Sequence, residues 1–277
     1  MCGGPVAIVS PVPQTTRSRV RGIVHARQGQ LVLLDTPGLH HSERKMNLVL
    51  RERAVGVVAE VDVMLVVYDV SRPFGTEDRV ATEVAASFQG PCVRALNKCD
   101  LCTDAEIAAW LEASPLPADT QAPVVRVAAA QGDGVDDLIG VLLAHSPEGP
   151  LLYPEDMYTD QTPEFRVAEV IRERAFARCT QEVPHALYVE VVDLENRPRA
   201  RRGDLLWVRA TIWVERQSQV AIVVGRAGHG IGAIREEATA TLEQVFGRDV
   251  RLELRVKVKK NWRQRDAILH RISAPTG

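Results

Sequence analysis

Two short polar motifs, each placed after an apolar run, constrain the fold of this chain more than any other feature. The motifs are Asp35-Thr36-Pro37-Gly38 and Asn97-Lys98-Cys99-Asp100. Short apolar runs that end in a turn signal are typical of buried strands. Four such runs occur in the first half of the chain, at 31–35, 61–70, 91–96 and 123–128. Helix-like stretches accompany them, at 42–60, 76–88, 103–113 and 134–145. This alternation predicts a mostly parallel α/β sheet, although residues 17–34 can instead form an antiparallel hairpin that turns near Gly29.

The two motifs suit a guanine-nucleotide site. In open α/β sheets, ligands bind at the carboxyl ends of the strands, where both motifs stand. Asp35 can hold Mg²⁺ through water, and Gly38 can turn its backbone amide toward a terminal phosphate. Asp100 can accept two hydrogen bonds from N1 and N2 of guanine, which adenine does not present, while the stem of Lys98 covers the ring. The order and spacing of the motifs therefore predict a guanine-nucleotide domain.

The sequence shows no motif for the part of such a site that binds the phosphates. A loop of the form G-x-x-x-x-G-K-[S/T] supplies backbone amides and a lysine to the phosphates and a hydroxyl to Mg²⁺. The chain has five lysines, and none of them is followed by Ser or Thr. We therefore expect the domain to lack its first strand, its phosphate loop and its first helix. Without them it is expected to leave a strand ladder unpaired, to bind GTP weakly and to hydrolyse it negligibly.

The pattern changes at a stretch that is rich in proline and acidic residues and has no periodicity. This stretch, at 148–163, is typical of a linker. We accordingly predict a nucleotide domain at 1–147 and an α+β domain at 164–277. In the second domain the sequence predicts helices at 164–178 and 230–246 and strands at 185–193, 204–215, 218–224 and 250–259.

Charge is distributed unequally between the two halves. The net charge is −2, yet residues 164–277 carry 21 Lys and Arg against 15 Asp and Glu, whereas residues 1–163 carry 13 against 21. A basic second half indicates contact with a polyanion. Two solvent-exposed surfaces that carry different numbers of charged side chains, without any polyanion partner, would account for the same counts.

The five cysteines are scattered, and their number is odd, which favours a reducing compartment over a disulfide framework. We therefore expect no disulfide partner. Cys99-x-x-Cys102 lacks the second pair or the histidines that a zinc site needs, so no metal is expected there. No apolar run approaches the ~20 residues of a membrane-spanning helix, which leaves contact with a membrane surface as an open possibility.

Together with several further segments, the motifs resemble the Era family of bacterial GTPases. The resemblance rests on Pro13-Gln14-Thr15-Thr16-Arg17, Asp35-Thr36-Pro37-Gly38-Leu39-His40, Asn97-Lys98-Cys99-Asp100, Tyr153-Pro154-Glu155-Asp156, Thr159-Asp160, Glu169-Val170-Ile171-Arg172-Glu173, Val224-Gly225-Arg226-Ala227-Gly228 and Val256-Lys257-Val258-Lys259-Lys260-Asn261-Trp262. It covers essentially the whole chain. It implies an α/β P-loop-type GTPase domain, here without its first β-strand, P-loop and first helix, followed by an α+β type II KH domain.

The resemblance implies GTP or GDP and Mg²⁺ as ligands. The positions that it assigns to the nucleotide are Thr15, Thr16, Asp35, Gly38, Asn97, Lys98, Asp100 and Ala129, and those for Mg²⁺ are Asp35 and Thr16. Ala128 stands where the family usually has Ser, so loss of that hydroxyl is expected to loosen the base loop. Leu39 is of a type normal in the family. His40 and His41 have no visible carboxylate partner, and we assign no catalytic residue.

In the second half, the resemblance implies RNA binding through the G-x-x-G loop of a KH domain, which lets the RNA backbone approach closely. The residues concerned are Gly225, Arg226, Ala227, Gly228, Lys257, Lys259, Lys260 and Arg263. The last four belong to a group of eight basic residues between Arg248 and Arg265, for which a solvated strand face is the alternative. Ile231 and Ile234 are expected to face the core, and Trp262 either stacks on a base or packs half-buried.

The resemblance further implies a cytoplasmic factor, peripherally associated with the inner membrane, that binds 16S ribosomal RNA and assists assembly of the 30S subunit under the control of GTP. Three interpretations follow from the missing phosphate loop. In the first, a phosphate loop precedes the printed Met1 in the natural protein. In the second, the chain is an RNA-binding KH protein whose nucleotide domain is degenerate. In the third, it is a fragment that neither folds nor binds RNA.

Overall fold

The structure is a computed structural model that describes residues 1–9, 16–35, 60–114, 122–179, 183–199 and 203–272. The chain divides into two compact units. The described residues of the first lie within 1–4, 22–35 and 60–159, and those of the second lie within 5–21 and 160–272. The domain boundaries drawn from the sequence stay predictions. None of the helices in the described ranges is long and apolar enough to cross a membrane.

The first unit contains two small sheets. Strands β1 (Val20–Ala26) and β2 (Gly29–Asp35) are joined by two residues and form a two-stranded sheet. Strands β3 (Met64–Asp69), β4 (Cys92–Asn97) and β5 (Val124–Arg126) form a parallel sheet in that order. The predicted hairpin and the three predicted strands are therefore present. Among the described strands, no ladder joins β2 to β3.

Three helices accompany these strands, namely α1 (Thr76–Ser87), α2 (Asp104–Ala113) and α3 (Val135–His145). Helix α2 begins where the sequence signals a start, because Thr103 and Glu106 form a reciprocal capping box. The helix predicted at 42–60 lies mostly outside the described residues.

Each face of the three-stranded sheet packs against its own apolar cluster, because successive side chains of a strand point to opposite faces. One cluster consists of Val24, Leu31, Val93, Ala95, Val127, Leu138 and Leu142. The other consists of Val66, Tyr68, Val70, Leu96, Ile107 and Trp110. Both clusters hold the carboxyl ends of β3 and β4 in fixed register.

The second unit is an α+β domain. Its elements are α4 (Pro163–Arg178), α5 (Val183–Ala186), β6 (Tyr188–Arg197), β7 (Leu205–Val214), α6 (Gln217–Val224), α7 (His229–Phe246), β8 (Val250–Val258) and α8 (Asp266–Ile272). The central strand β7 pairs antiparallel with β6 and parallel with β8. Thr162 caps α4 by accepting the amide hydrogen of Phe165, and Pro163 occupies the first helical position, where its missing N–H costs nothing.

The core of this unit lies between one face of the sheet and the helices. Leu206, Val208, Ala210, Ile212 and Val214 alternate along β7 and are all 0% exposed. They belong to the same buried cluster as residues of helices α4, α6 and α7. A separate, smaller cluster is formed by Tyr188, Trp262, Ile268 and Leu269, with Trp213 packed against it.

The strand predicted at 218–224 is wrong, because this segment is helix α6. The prediction rested on a run of branched apolar residues that favours strands. Gln219 instead caps the helix, since its side-chain oxygen accepts the amide hydrogens of Glu215 and Arg216. Val223 is buried while Ile222 is 49% exposed, so only one side of this run packs into the core. Tertiary packing has overridden local propensity here.

Candidate nucleotide-binding and nucleic-acid-binding sites

The candidate base site lies where strands β3 and β4 end. Asp69 and Asn97 are paired residues in the last register position of the two strands. Lys98 adopts a left-handed backbone conformation with φ of 66°, and its Nζ donates to Oδ2 of Asp69 at 2.6 Å. Partial burial acts to raise the pKa of Asp69, but hydrogen bonds from Lys98 and Ser71 outweigh it and hold that pKa below its usual value. The lysine stem that is predicted to cover a base is thus fixed at its charged end.

Asn97 joins two loops of the site. Its Oδ1 accepts the backbone amide hydrogen of Lys98 at 2.9 Å and that of Ala129 at 3.1 Å. The loop containing Ala129 follows β5, and a bridge between Ala128 and Asp133 closes it. Asn97 therefore acts as a strut that sets the distance between the two loops, and it needs no hydroxyl at Ala128 to do so.

Asp100, the predicted guanine-reading carboxylate, lies in a short 3-10 helix at Cys99–Leu101 and is exposed. Its Oδ2 accepts a hydrogen bond from Nε2 of Gln131 at 3.0 Å, which orients the carboxylate. The sequence reasoning missed both Gln131 and Asp69. Asp69 could have been found, because it ends a parallel strand at the same sheet edge as Asn97. No spacing rule would have identified Gln131.

The described residues suit the base better than the phosphates. Asp35 ends β2 with an exposed carboxylate, which is the type of ligand that Mg²⁺ prefers. Thr16 lies in the other compact unit from Asp35, and Thr15 and Gly38 lie outside the described residues, as do Leu39, His40 and His41. In the printed sequence, no lysine is followed by Ser or Thr. Asn97, Lys98, Asp100 and Ala129 are therefore the candidate contacts for guanine, and Asp35 is a candidate ligand for Mg²⁺.

The Cys99 and Cys102 thiols point at backbone carbonyls. The thiol of Cys99 donates to the oxygen of Leu96 at 3.1 Å, and that of Cys102 donates to Val70 at 3.3 Å. Both are free thiols, and within the described ranges no group of three or more His, Cys, Asp or Glu side chains is placed to hold a metal. The pair contributes packing below the base loop.

The candidate RNA loop joins α6 to α7. Gly225 has φ of 69°, and a Cβ at this position would lie 2.8 Å from the amide nitrogen of Gly230, so only glycine fits. Ala227 also adopts a positive φ of 50°, while Gly228 has φ of 81° with open space around it. Arg226 is exposed. The loop thus presents backbone and one cation to solvent, as a phosphate-backbone partner requires.

The predicted basic residues of β8 divide into two groups. Lys257 and Lys259 lie 5.8 and 5.0 Å from the ring centroid of Trp213 and have no ion pair within the described part of the chain. Lys260 follows them and is exposed. Arg263 instead pairs with Glu215, with Nε at 3.0 Å from Oε2 and the carboxylate largely buried. Arg263 therefore fits a structural role, whereas the three lysines remain available to a polyanion.

The hydrophobic residues near the loop differ in how deeply they are buried. Ile234 is 1% exposed in the core, which confirms its expected place, and Ile231 is half-buried. Trp262 is 0% exposed, and its Nε1 donates to the oxygen of Ala186 at 2.8 Å. The stacking alternative for Trp262 is therefore wrong, because a base cannot reach a fully buried ring.

An α/β unit with a guanine-type base loop, followed by an α+β unit with a G-x-x-G loop, defines the class of GTP-binding proteins that carry a KH domain. A family model described as 50S ribosome-binding GTPase matches residues 1–98, and a KH domain model matches residues 182–263. GTPase Era of Treponema denticola is 42% identical over 272 residues, covering 98% of this chain and 92% of that protein. GTPase Era of Borreliella burgdorferi is 34% identical over 274 residues, with coverages of 98% and 92%. The chain belongs to the GTPase Era family, as its motifs predicted.

Solved structures agree with this assignment. A crystal structure of Era in complex with MgGDPNP and nucleotides 1506–1542 of 16S ribosomal RNA matches with a TM-score of 0.86 at 30% identity, covering 98% of this chain and 91% of that one. A crystal structure of a variant of Aquifex aeolicus Era, bound to GDP.AlF4-, matches with a TM-score of 0.89 at 29% identity over the same shares. The predicted fold class, a P-loop-type GTPase domain followed by a KH domain, is confirmed.

Proposed function

We propose that this chain binds small-subunit ribosomal RNA through its KH unit and assists assembly of the 30S subunit. The observation that supports this most directly is the intact RNA-facing surface, in which an open G-x-x-G loop and three uncompensated lysines lie in one compact unit. Family membership supplies the partner, since a related Era is seen in complex with 16S ribosomal RNA. The RNA-binding residues are Gly225, Arg226, Ala227, Gly228, Lys257, Lys259 and Lys260, with Arg263 positioning the turn after β8.

The base contacts of the nucleotide site belong to the same proposal. Asn97, Lys98, Asp100 and Ala129 hold guanine, with Gln131 orienting the carboxylate of Asp100. Thr16 and Asp35 would face Mg²⁺, which supplies charge neutralisation at the phosphates when it is bound. Thr15 and Gly38 keep their predicted nucleotide roles as proposals.

We also propose that a protein of these 277 residues binds Mg²⁺·GTP weakly and hydrolyses it negligibly. Guanine contacts alone leave the phosphate charges without the lysine and backbone amides that stabilise them. The second candidate function is that of an RNA-binding KH protein with a degenerate nucleotide domain. The same absence of a lysine followed by Ser or Thr favours it. A cytoplasmic location, with peripheral contact at the inner membrane, is proposed from family membership alone.

The RNA half is tested by two matched glycine variants at the two ends of helix α7. Gly228 and Gly247 both have positive φ and open space around the position of a Cβ, so Gly228→Asp and Gly247→Asp add the same charge with similar strain. In a gel-shift titration at fixed salt with an RNA of nucleotides 1506–1542, we expect Gly228→Asp to lose at least about tenfold in affinity, or about 1.4 kcal/mol. Gly247→Asp should stay within about twofold. Equal losses in both variants would remove the loop from the site.

The nucleotide half is tested by calorimetric titration of GDP and GTP with and without Mg²⁺. We expect no binding tighter than about 1 μM, which corresponds to about −8.2 kcal/mol. Asp100→Asn serves as the matched variant, because it removes one acceptor for guanine while leaving the hydrogen bond from Gln131 possible. Micromolar binding that Mg²⁺ strengthens would overturn the proposed weakness and leave the RNA proposal intact.

A further inference from the structure

The sheet of the KH unit has a second face, which lies opposite its buried core. Along β7, Leu206, Val208 and the residues that alternate with them face the core, so Trp207 and Trp213 belong to the other face. Trp207 is buried and Trp213 is half-buried. The two are six positions apart, which corresponds to about 20 Å along the strand. One strand therefore carries two indoles whose surroundings can be compared directly.

Trp213 lies in a row of side chains that crosses the sheet. Its register partners are Tyr188 on β6 and Lys257 on β8. Its Nε1 donates to Oε2 of Glu190 at 2.6 Å, which fixes the orientation of the indole. The Tyr188 and Trp213 rings lie nearly parallel, with 18° between their planes and 6.3 Å between their centroids. Nζ of Lys259 lies over both rings, at 5.0 Å from the centroid of Trp213 and 5.8 Å from that of Tyr188. The row therefore presents an oriented indole with a cation over it.

Trp207 has similar surroundings, but the cation over it is neutralised. Its Nε1 donates to Oε1 of Glu253 at 3.2 Å, and the guanidinium carbon of Arg197 lies 3.8 Å from its ring centroid. Arg197 is paired with Glu195 at 2.9 Å. Within the described part of the chain, the lysines over Trp213 have no ion pair. Phosphate groups are therefore attracted to the Trp213 end of this face more strongly than to the Trp207 end.

The Trp213 row lies at the same end of the KH unit as the G-x-x-G loop. Helix α7 begins after that loop and ends beside the start of β8, where Oε1 of Glu243 accepts the amide hydrogen of Val250 at 3.2 Å. The helix has 18 residues and is about 27 Å long, while the strand has 9 residues and is about 30 Å long. Both pack into one core and run back from the same point, so the loop and Lys257 lie at the same end. An RNA strand held at the loop can thus continue to the Trp213 row.

We propose that Trp213 stacks on a base of the bound RNA, beside the lysines that hold its phosphates. The proposal rests on the proposed function, since it takes RNA as the ligand of the KH unit. In the free protein, Lys257 and Lys259 lie over the indole ring, which holds such cations only weakly at an exposed site. A phosphate draws the two ammonium groups to itself, and a base takes their place over the ring. Trp213 thereby fills the stacking role for which the sequence offered Trp262.

The stacking is tested by tryptophan fluorescence on the full chain. The chain has four tryptophans, of which Trp110, Trp207 and Trp262 are buried and Trp213 is half-buried. RNA of nucleotides 1506–1542 should quench the emission, and the quenching should be lost in Trp213→Phe and kept in Trp207→Phe. Inorganic polyphosphate, which carries phosphates and no bases, should bind without quenching. Equal quenching by polyphosphate, or quenching that persists in Trp213→Phe, would overturn the stacking.

Gel-shift titration with the same RNA measures what the stacking contributes to affinity. Trp213→Leu should lose at least about fivefold, because stacking on an aromatic side chain contributes that much or more per base. The dependence of log K on log salt should stay unchanged, since the indole carries no charge, whereas a variant that only displaced the lysines would reduce it. Trp213→Phe keeps an aromatic ring and should stay within about threefold, and the matched control Trp207→Leu should stay within about twofold.

The failure of the stacking and the failure of RNA binding give different results. Unchanged affinity in Trp213→Leu, together with the expected loss in Gly228→Asp, refutes the stacking and leaves RNA binding by the KH unit standing. RNA that does not bind the unmodified chain refutes both. Where Trp213→Leu fails to fold, the fluorescence comparison of Trp213→Phe with Trp207→Phe decides.

Discussion

The two compact units solve the problem of presenting a ligand site in different ways. The KH unit is built on one continuous three-stranded sheet whose central strand has five fully buried side chains on one face. The nucleotide unit has two sheets with no described ladder between them, and Val67 of β3 is 55% exposed. Its candidate base site depends on hydrogen bonds from side chains that join loops, such as those of Asn97, whereas the candidate RNA loop depends on backbone conformation. The unit with one continuous core therefore presents a loop that is shaped by its backbone alone. The unit with two separate sheets instead uses hydrogen bonds from side chains to position its loops.

The largest expected contrast is in stability. Ile212→Ala removes a fully buried side chain from β7 and should lower the free energy of unfolding by about 2–5 kcal/mol. Val67→Ala, on a strand of the other unit, should change it by less than about 0.5 kcal/mol, because the side chain is more than half exposed. Urea unfolding followed by circular dichroism measures both. A cost for Val67→Ala as large as that for Ile212→Ala would break the contrast between the units.

The reactivity of the Cys179 thiol should differ by about two orders of magnitude between the folded and the unfolded chain. Burial raises the pKa of Cys179 in the KH unit to about 11, so at pH 8 only about one molecule in a thousand carries the thiolate. Burial of the neutral thiol makes its whole contribution to the free energy of unfolding below about pH 9, and this contribution is lost as the pH rises toward about 11.

Iodoacetamide labelling at pH 8, read by peptide mass spectrometry, should therefore modify Cys179 at least about a hundredfold more slowly in the folded than in the urea-unfolded chain. Cys102, which is half-buried in the nucleotide unit, should be labelled faster than Cys179. Faster labelling of Cys179 would indicate that the KH core opens readily.

A smaller effect is expected from the lysines of β8. Lys257→Glu combined with Lys259→Glu should weaken RNA binding about tenfold and reduce the dependence of log K on log salt by about 1 to 2. Arg79→Glu combined with Arg126→Glu reverses two exposed arginines of the nucleotide unit and should leave both quantities unchanged within error. If the two double variants weaken binding equally, RNA binding depends on the total charge of the protein rather than on the KH surface.

Much of the fold followed from local patterns. The strands that end at Asp69 and Asn97 are short apolar runs bounded by turn signals, and helices α2 and α4 begin at capping threonines, so their positions could be predicted closely. Helix α6 could not, because its branched residues favour a strand and only packing against β7 and capping by Gln219 decide otherwise. The site followed the same rule. Contiguous motifs were recognisable, while Gln131 acts through a contact 31 residues away from Asp100.

The sequence alone determined the class of the protein, because Asn97-Lys98-x-Asp100 and Gly225-x-x-Gly228 are contiguous and their chemistry depends on residue type and spacing. It also determined that no G-K-[S/T] loop occurs in these 277 residues. Tertiary structure alone decided that Trp262 is buried and that the buried side chain of Arg17 donates a hydrogen bond to the carbonyl oxygen of Leu187, 170 residues away. The physical reason is that burial and hydrogen bonding between distant segments depend on how the whole chain packs, which residue spacing does not encode.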